Sequence, residues 1–142
     1  MSEESPVSEE NASPETPMDP RGSLARAMVA ARTAEETAGR DIVILDMREL
    51  TPMFDYFVLA NGTSSRQLHA MSEEIDTALR KKLGDKRIGI EGYDESRWIL
   101  LDYGDVVIHL FEPETREYYA IEDLWGQAKQ VPMEPLPEST DG

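Results

Sequence analysis

The chain has 142 residues, a length for one domain, and its 29 acidic against 14 basic residues give a formal charge of −15. Hydrophobic residues make up 39% and cysteine is absent. That excludes a disulfide scaffold, a thiolate metal site and a cysteine nucleophile, and it separates the chain from wholly disordered and membrane-spanning compositions. The charge is unevenly placed: residues 1–23 carry six acids and one base, residues 131–142 carry three acids and no base, and residues 24–130 hold 20 acids against 13 bases. Seven of the nine prolines also lie in these two ends. Residues 1–22 and 131–142 are therefore expected as disordered acidic tails flanking one domain over 23–130.

From the start of that domain, Ser23 reads as the N-cap of a first helix and Gly39 as its stop. Leu24, Met28, Ala31, Ala34 and Ala38 keep helical spacing between them. Asp41 to Asp46 is a short β-branched run, a buried strand. After the break at Thr51-Pro52, Tyr56 to Ala60 is apolar throughout, as suits a central strand covered by helices on both faces. Asn61 to Ser65 is a turn ending in capping residues. A second helix runs from there to about Leu83, with Leu68, Met71, Ile75, Leu79 and Leu83 as its apolar stripe and Gly84 as its end. Ile88 to Glu91 is a weak strand. Trp98 to Asp102 and Val106 to Glu112 are two strong strands joined by a Tyr103-Gly104-Asp105 hairpin, and Pro113 stops the second. A short helical segment with Ile121, Leu124 and Trp125 closes the domain. The order α-β-β-α-β-β-β-α predicts an α/β fold, a mixed sheet sandwiched by helices.

Negative charge argues against direct binding to a DNA or RNA backbone, because phosphate contacts need clustered Lys and Arg. The cluster Arg80, Lys81, Lys82, Lys86 and Arg87 reads as the cationic end of a helix. The balance favours a basic protein partner, drawn in by long-range attraction. The Met1-Ser2-Glu3-Glu4 start lacks a secretory signal, and no stretch approaches the roughly 18 apolar residues of a membrane span. A cytoplasmic location and no membrane contact are expected.

Few residues carry a chemical signature. The Gly62 to Ser65 turn before a helix has one glycine and no following lysine, so it is not a P-loop. Asp102 and Asp105 form a candidate carboxylate pair of the sort that holds a metal and a nucleotide in nucleotidyltransferases. Their spacing of three aims them differently, whereas a metal pair sits two apart on one strand face. His69 and His109 have no nearby acid in motif spacing. Strand alternation places Trp98, Leu100 and Asp102 on one face and Ile99 and Leu101 on the other. The first face has the make-up of a protein-binding patch, an apolar anchor with a charged rim. Periodicity alone leaves Trp98 equally a core residue or an anchor.

Taken together, Asp41 to Asp46, Asp55-Tyr56-Phe57-Val58, Gly62-Thr63-Ser64-Ser65-Arg66-Gln67, Glu91-Gly92, Trp98 to His109, Arg116-Glu117-Tyr118-Tyr119 and Leu124-Trp125 resemble the Iojap family of ribosomal silencing factors. The resemblance spans about residues 24–126. It implies a nucleotidyltransferase-like fold without catalytic residues, no enzyme activity, and no cofactor or metal. It implies docking on the large ribosomal subunit through the basic ribosomal protein uL14, a steric block to association with the small subunit, and repression of translation under nutrient limitation. It also implies a homodimer when the protein is free of the ribosome. On this sequence the family's partner-binding strand matches Trp98 to Asp105. Trp98 would anchor, Leu100 would line the patch, Asp102 and Asp105 would meet basic side chains, and Tyr103 and His109 would complete the set. The long Pro/Glu-rich start departs from the compact family pattern. The alternative is a nucleotidyltransferase-like, nucleotide-dependent enzyme.

Overall fold

The computed structural model describes residues 22–133. The tails expected as disordered lie outside the described residues, apart from Gly22 and residues 131–133. The first helix, α1 (Ser23–Glu36), buries Ala27, Ala30, Ala31 and Ala34. These small side chains let the helix lie close on the sheet. Ser23 is not its cap: Gly22 holds that position in a left-handed conformation, and the buried Ser23 hydroxyl donates to Asp55 Oδ2 at 2.8 Å. The helix ends earlier than the expected stop at Gly39, with Thr37 at its C-cap and Ala38, not the glycine, in the left-handed conformation. The Gly39 N–H returns to the Ala34 carbonyl at 2.7 Å.

Strands β1 (Arg40–Asp46) and β2 (Tyr56–Asn61) follow, and every residue of β2 is buried. The second helix, α2 (Ser65–Leu83), is capped by Ser64, whose hydroxyl accepts from the Gln67 N–H, and it ends at Gly84 in the left-handed conformation. Leu68, Met71, Ile75 and Leu79 are fully buried along one stripe, each stabilising the fold by about 1.5–3 kcal/mol. Leu83, the last of the expected stripe, is exposed. Three strands come next: β3 (Gly89–Glu91), β4 (Trp98–Asp102) and β5 (Val106–Phe111).

The closing region is richer than the sequence suggests. Pro113 ends β5 and also opens a separate helix, α3 (Pro113–Tyr119), where its missing N–H costs nothing. A single turn, α4 (Ile121–Leu124), follows, and then an unanticipated strand, β6 (Lys129–Val131). β6 pairs Val131 with Ile44 of β1, and Met133 packs on the core, so the sheet continues past the expected domain limit at residue 130.

The six strands form one mixed sheet in the order β3-β4-β5-β2-β1-β6. Only β2 and β5 run parallel; the other four pairings are antiparallel. Both long helices pack on the same face, over Ile44, Tyr56, Val58, Ile99, Leu101, Ile108 and Leu110. The opposite face carries a smaller cluster of Leu45, Met47, Phe57, Leu59, Val107 and Phe111, covered in part by Ile121, Trp125 and Ala128. Among the described residues no helix is long and apolar enough to cross a membrane.

Candidate partner-binding face

The asymmetry of the sheet creates the candidate surface. Both long helices sit on one side, and the other side has only the two short ones. At its β4 end the apolar cluster therefore reaches solvent. Burial along β4 alternates: Ile99 and Leu101 are fully buried toward the long helices, whereas Trp98, Leu100 and Asp102 are half-buried on the opposite face. The antiparallel register sets Trp98 opposite Phe111, Leu100 opposite His109 and Asp102 opposite Val107.

Trp98 sits in an aromatic array, with ring centroids 5.1 Å from Phe111, 5.1 Å from Tyr119 and 5.9 Å from His109. Its indole N–H donates to His109 Nδ1 at 3.1 Å. Of the two readings of Trp98 left open by periodicity, the structure bears on the core one, and supports it in part. One side of the ring packs on the cluster, and the residue keeps part of its surface for solvent.

His109 is 3% exposed and lies against Phe57, at 4.8 Å between centroids in an edge-on arrangement. Burial penalises the charged imidazolium and pushes its pKa down to about 4. The ring is therefore neutral at neutral pH. Because Nδ1 accepts from Trp98, the ring proton sits on Nε2, and Nε2 has no hydrogen-bond partner among the described residues. His109 is a fixed strut beneath Trp98, since its accepting nitrogen sets the direction of the indole.

Not every residue expected at this face is found there. Tyr103 turns to the long-helix side, where it is 3% exposed and its hydroxyl donates to Asp76 Oδ1 of α2 at 2.7 Å. Burial and the Asp76 carboxylate raise its pKa. Asp105 is gripped by Arg26 of α1, with Nη2 to Oδ1 at 2.6 Å, while Arg26 also reaches Asp85 at 3.3 Å and the Tyr103 carbonyl at 3.2 Å. Burial works to lower the Arg26 pKa, but the hydrogen bonds and charges of Asp105 and Asp85 together outweigh it and the net shift is upward. Alternation and the hairpin explain the split: Tyr103 follows Ile99 and Leu101 onto the long-helix side, and with Gly104 at positive φ the chain reverses before Asp105. Asp102 itself stays on the Trp98 side, and its Oδ1 accepts the Gly104 N–H at 2.8 Å.

The same geometry separates the carboxylate pair that a nucleotide-dependent enzyme would need, because Asp102 and Asp105 serve different partners. The Gly62 to Ser65 turn is occupied internally as well. Gln67 Oε1 accepts the Thr63 N–H at 2.7 Å, and Ser64 caps the helix.

Residues to which the sequence assigned no role complete the face. Tyr118 and Tyr119 on α3 are 80% and 55% exposed, and Leu124 on α4 is 74% exposed. Two adjacent aromatics in a helix opened by Pro113 were the available signal. Arg116 fixes this segment to the sheet. Its guanidinium forks onto both Glu122 oxygens at 3.0 and 2.8 Å, and it donates to the Asp41 carbonyl at 2.7 Å and to Asn61 Oδ1 at 2.9 Å. The Arg116 hydrogen bonds hold the Glu122 carboxyl below its usual range, against the opposing effect of burial. On the approach to β4, Gly92 has a φ of 78°, and a Cβ there would collide with the Trp98 carbonyl oxygen.

Comparison with known proteins gives the context of this face. The family described as "Ribosomal silencing factor during starvation" matches residues 20–142. The chain is 41% identical over 101 residues to the ribosomal silencing factor RsfS of Bacillus subtilis, covering 70% of this chain and 84% of that one. It is 39% identical over 119 residues to the mouse protein named "Mitochondrial assembly of ribosomal large subunit protein 1", covering 78% of this chain and 52% of that one. A crystal structure of a Chromobacterium violaceum protein superposes with a TM-score of 0.70 at 34% identity, covering 83% of this chain and 94% of the other.

Proposed function

The chain belongs to the ribosomal silencing factor (Iojap) family, and from that premise we propose that it is a non-enzymatic repressor of translation that docks on the large ribosomal subunit in the cytoplasm. The docking site we assign is the half-covered sheet face around Trp98 and Leu100, bordered by Asp102. The partner we assign is the basic ribosomal protein uL14, as the family resemblance implies. The mechanism is occlusion: a domain docked on the intersubunit side fills volume that the small subunit must enter, and no bond is made or broken.

The observation that carries this reading is the exposure of an aromatic and aliphatic surface at one end of a sheet whose other face is sealed by two helices. Specific interfaces bury roughly 1,200–2,000 Å² in total, with aromatic anchors at their centres. A chain of charge −15 approaching a basic protein gains a faster encounter rate. Away from ribosomes the chain is proposed to pair with a second copy as a homodimer. The test is co-sedimentation of the purified chain with isolated large and small subunits, followed by cross-linking to identify the contacted protein. Binding to large subunits alone, with cross-links to uL14, supports the proposal. Binding to neither subunit, or only to ribosomal RNA stripped of protein, overturns it.

A further inference from the structure

Beside Trp98 the face ends in a groove of about 630 Å³ between the start of β4 and helix α3. Its walls are Trp98, Tyr118 and Tyr119; its rim holds Glu95, Glu112 and Glu114 against a single base, Arg97. The two tyrosine rings stand nearly perpendicular, 88° apart with centroids 4.9 Å from each other, and Tyr119 lies 5.1 Å from Trp98. Among the described residues none of the three glutamates forms an ion pair, and the Glu112 carboxylate accepts only from the Thr115 hydroxyl, at 3.1 Å.

We propose that this groove receives one basic side chain, arginine or lysine, from the ribosomal protein on which the domain docks. The inference rests on the docking reading above and adds to it a specificity-determining subsite. The chemistry of the walls selects the ligand. Aromatic faces are electronegative and attract a cation, the more strongly once water is displaced. Carboxylates at the rim accept charge-assisted hydrogen bonds. The methylene stem of arginine or lysine covers aromatic surface that otherwise faces water, as it does at Tyr118, which is 80% exposed. An anionic group would meet three carboxylates and one guanidinium, and a neutral aliphatic one would desolvate those carboxylates without pairing them.

The test compares affinities of full-length variants for isolated large subunits by co-sedimentation. One variant carries Glu95→Gln, Glu112→Gln and Glu114→Gln. A control with the same charge change carries Glu35→Gln, Glu36→Gln and Glu74→Gln, which are exposed positions on α1 and α2. The groove variant should bind at least about tenfold more weakly, and the control within about threefold of the parent. Tyr118→Ala should also weaken binding while Tyr118→Phe preserves it. Equal losses in the two triple variants would reduce the effect to general charge and overturn the subsite. Full binding by the groove variant, with Trp98→Ala unable to bind, would overturn the subsite and leave the docking reading standing. Unchanged binding by all variants, Trp98→Ala included, would overturn both.

Discussion

Lowering the pH from 7 toward 4 should weaken the fold through His109, and the size of the effect follows from its burial. In the folded chain the imidazole has its pKa pushed down from 6.5 to about 4. Released on unfolding, it titrates near its ordinary value. Between these limits the unfolded chain binds the proton that the folded chain refuses, so stability falls as pH falls. Above about pH 6.5 both states are neutral and the penalty vanishes. Below about pH 4 both are charged and the penalty is complete. Each pH unit in the window costs about 1.4 kcal/mol, so the whole window costs about 3 kcal/mol, of which about 2 kcal/mol accrues by about pH 4.5. Protonation must also break the hydrogen bond from Trp98, because Nδ1 is the site that takes the proton. The assay is urea unfolding at a series of pH values, for the parent chain and for His109→Phe. Carboxylates such as Asp46 and Glu122, whose pKa values are held low by Arg48 and Arg116 against burial, destabilise both chains at the acid end. The difference between the two chains isolates the histidine. His109→Phe should lose about 2 kcal/mol less than the parent between pH 7 and about pH 4.5. Parallel pH profiles would refute the assignment of a buried neutral imidazole.

Three further perturbations probe the elements that present the face. Trp98→Ala should keep the fold, because the ring is only half-buried, yet lose roughly 30- to 1,000-fold in affinity for large subunits, the effect of removing a central anchor worth about 2–4 kcal/mol; near-normal co-sedimentation would remove Trp98 from the interface. Arg116→Met should destabilise the chain by about 2–3 kcal/mol in urea unfolding, since it strips partners from Glu122, Asn61 and the Asp41 carbonyl. Its hydrogen-exchange protection should fall first over residues 113–124. Gly92→Ala should cost about 1–3 kcal/mol, because a side chain there combines positive φ with a collision at the Trp98 carbonyl; a thermal midpoint equal to that of the parent would contradict the turn geometry.

Strong local periodicity made most of the fold legible. The stripe on α2, the all-apolar β2 and the hairpin between β4 and β5 each follow from spacing and punctuation alone. What stayed hidden depended on distant residues. Ser23 has the composition of a cap, but Asp55, 32 residues away, takes its hydroxyl. β6 has only three residues and exists because β1 offers it an edge. The face itself was readable where alternation holds, at Trp98, Leu100 and Asp102. Tyr103 falls on the long-helix side by the same alternation, where Asp76 holds it, and Arg26 holds Asp105 there beyond the reversal at Gly104. Their assignment to this face came from the family resemblance, which matched Trp98 to Asp105 as one stretch although successive strand residues point to opposite faces. The groove of Trp98, Tyr118 and Tyr119 joins residues 20 apart in sequence, and Arg116 is what brings them together.

The central claim is that docking of this domain keeps the two subunits apart. The direct measurement is subunit joining followed by light scattering, with large subunits first saturated with the purified chain and then mixed with small subunits. Joining should fall in proportion to occupancy and recover with the Trp98→Ala chain. Saturated large subunits that join as fast and as fully as bare ones would contradict occlusion outright.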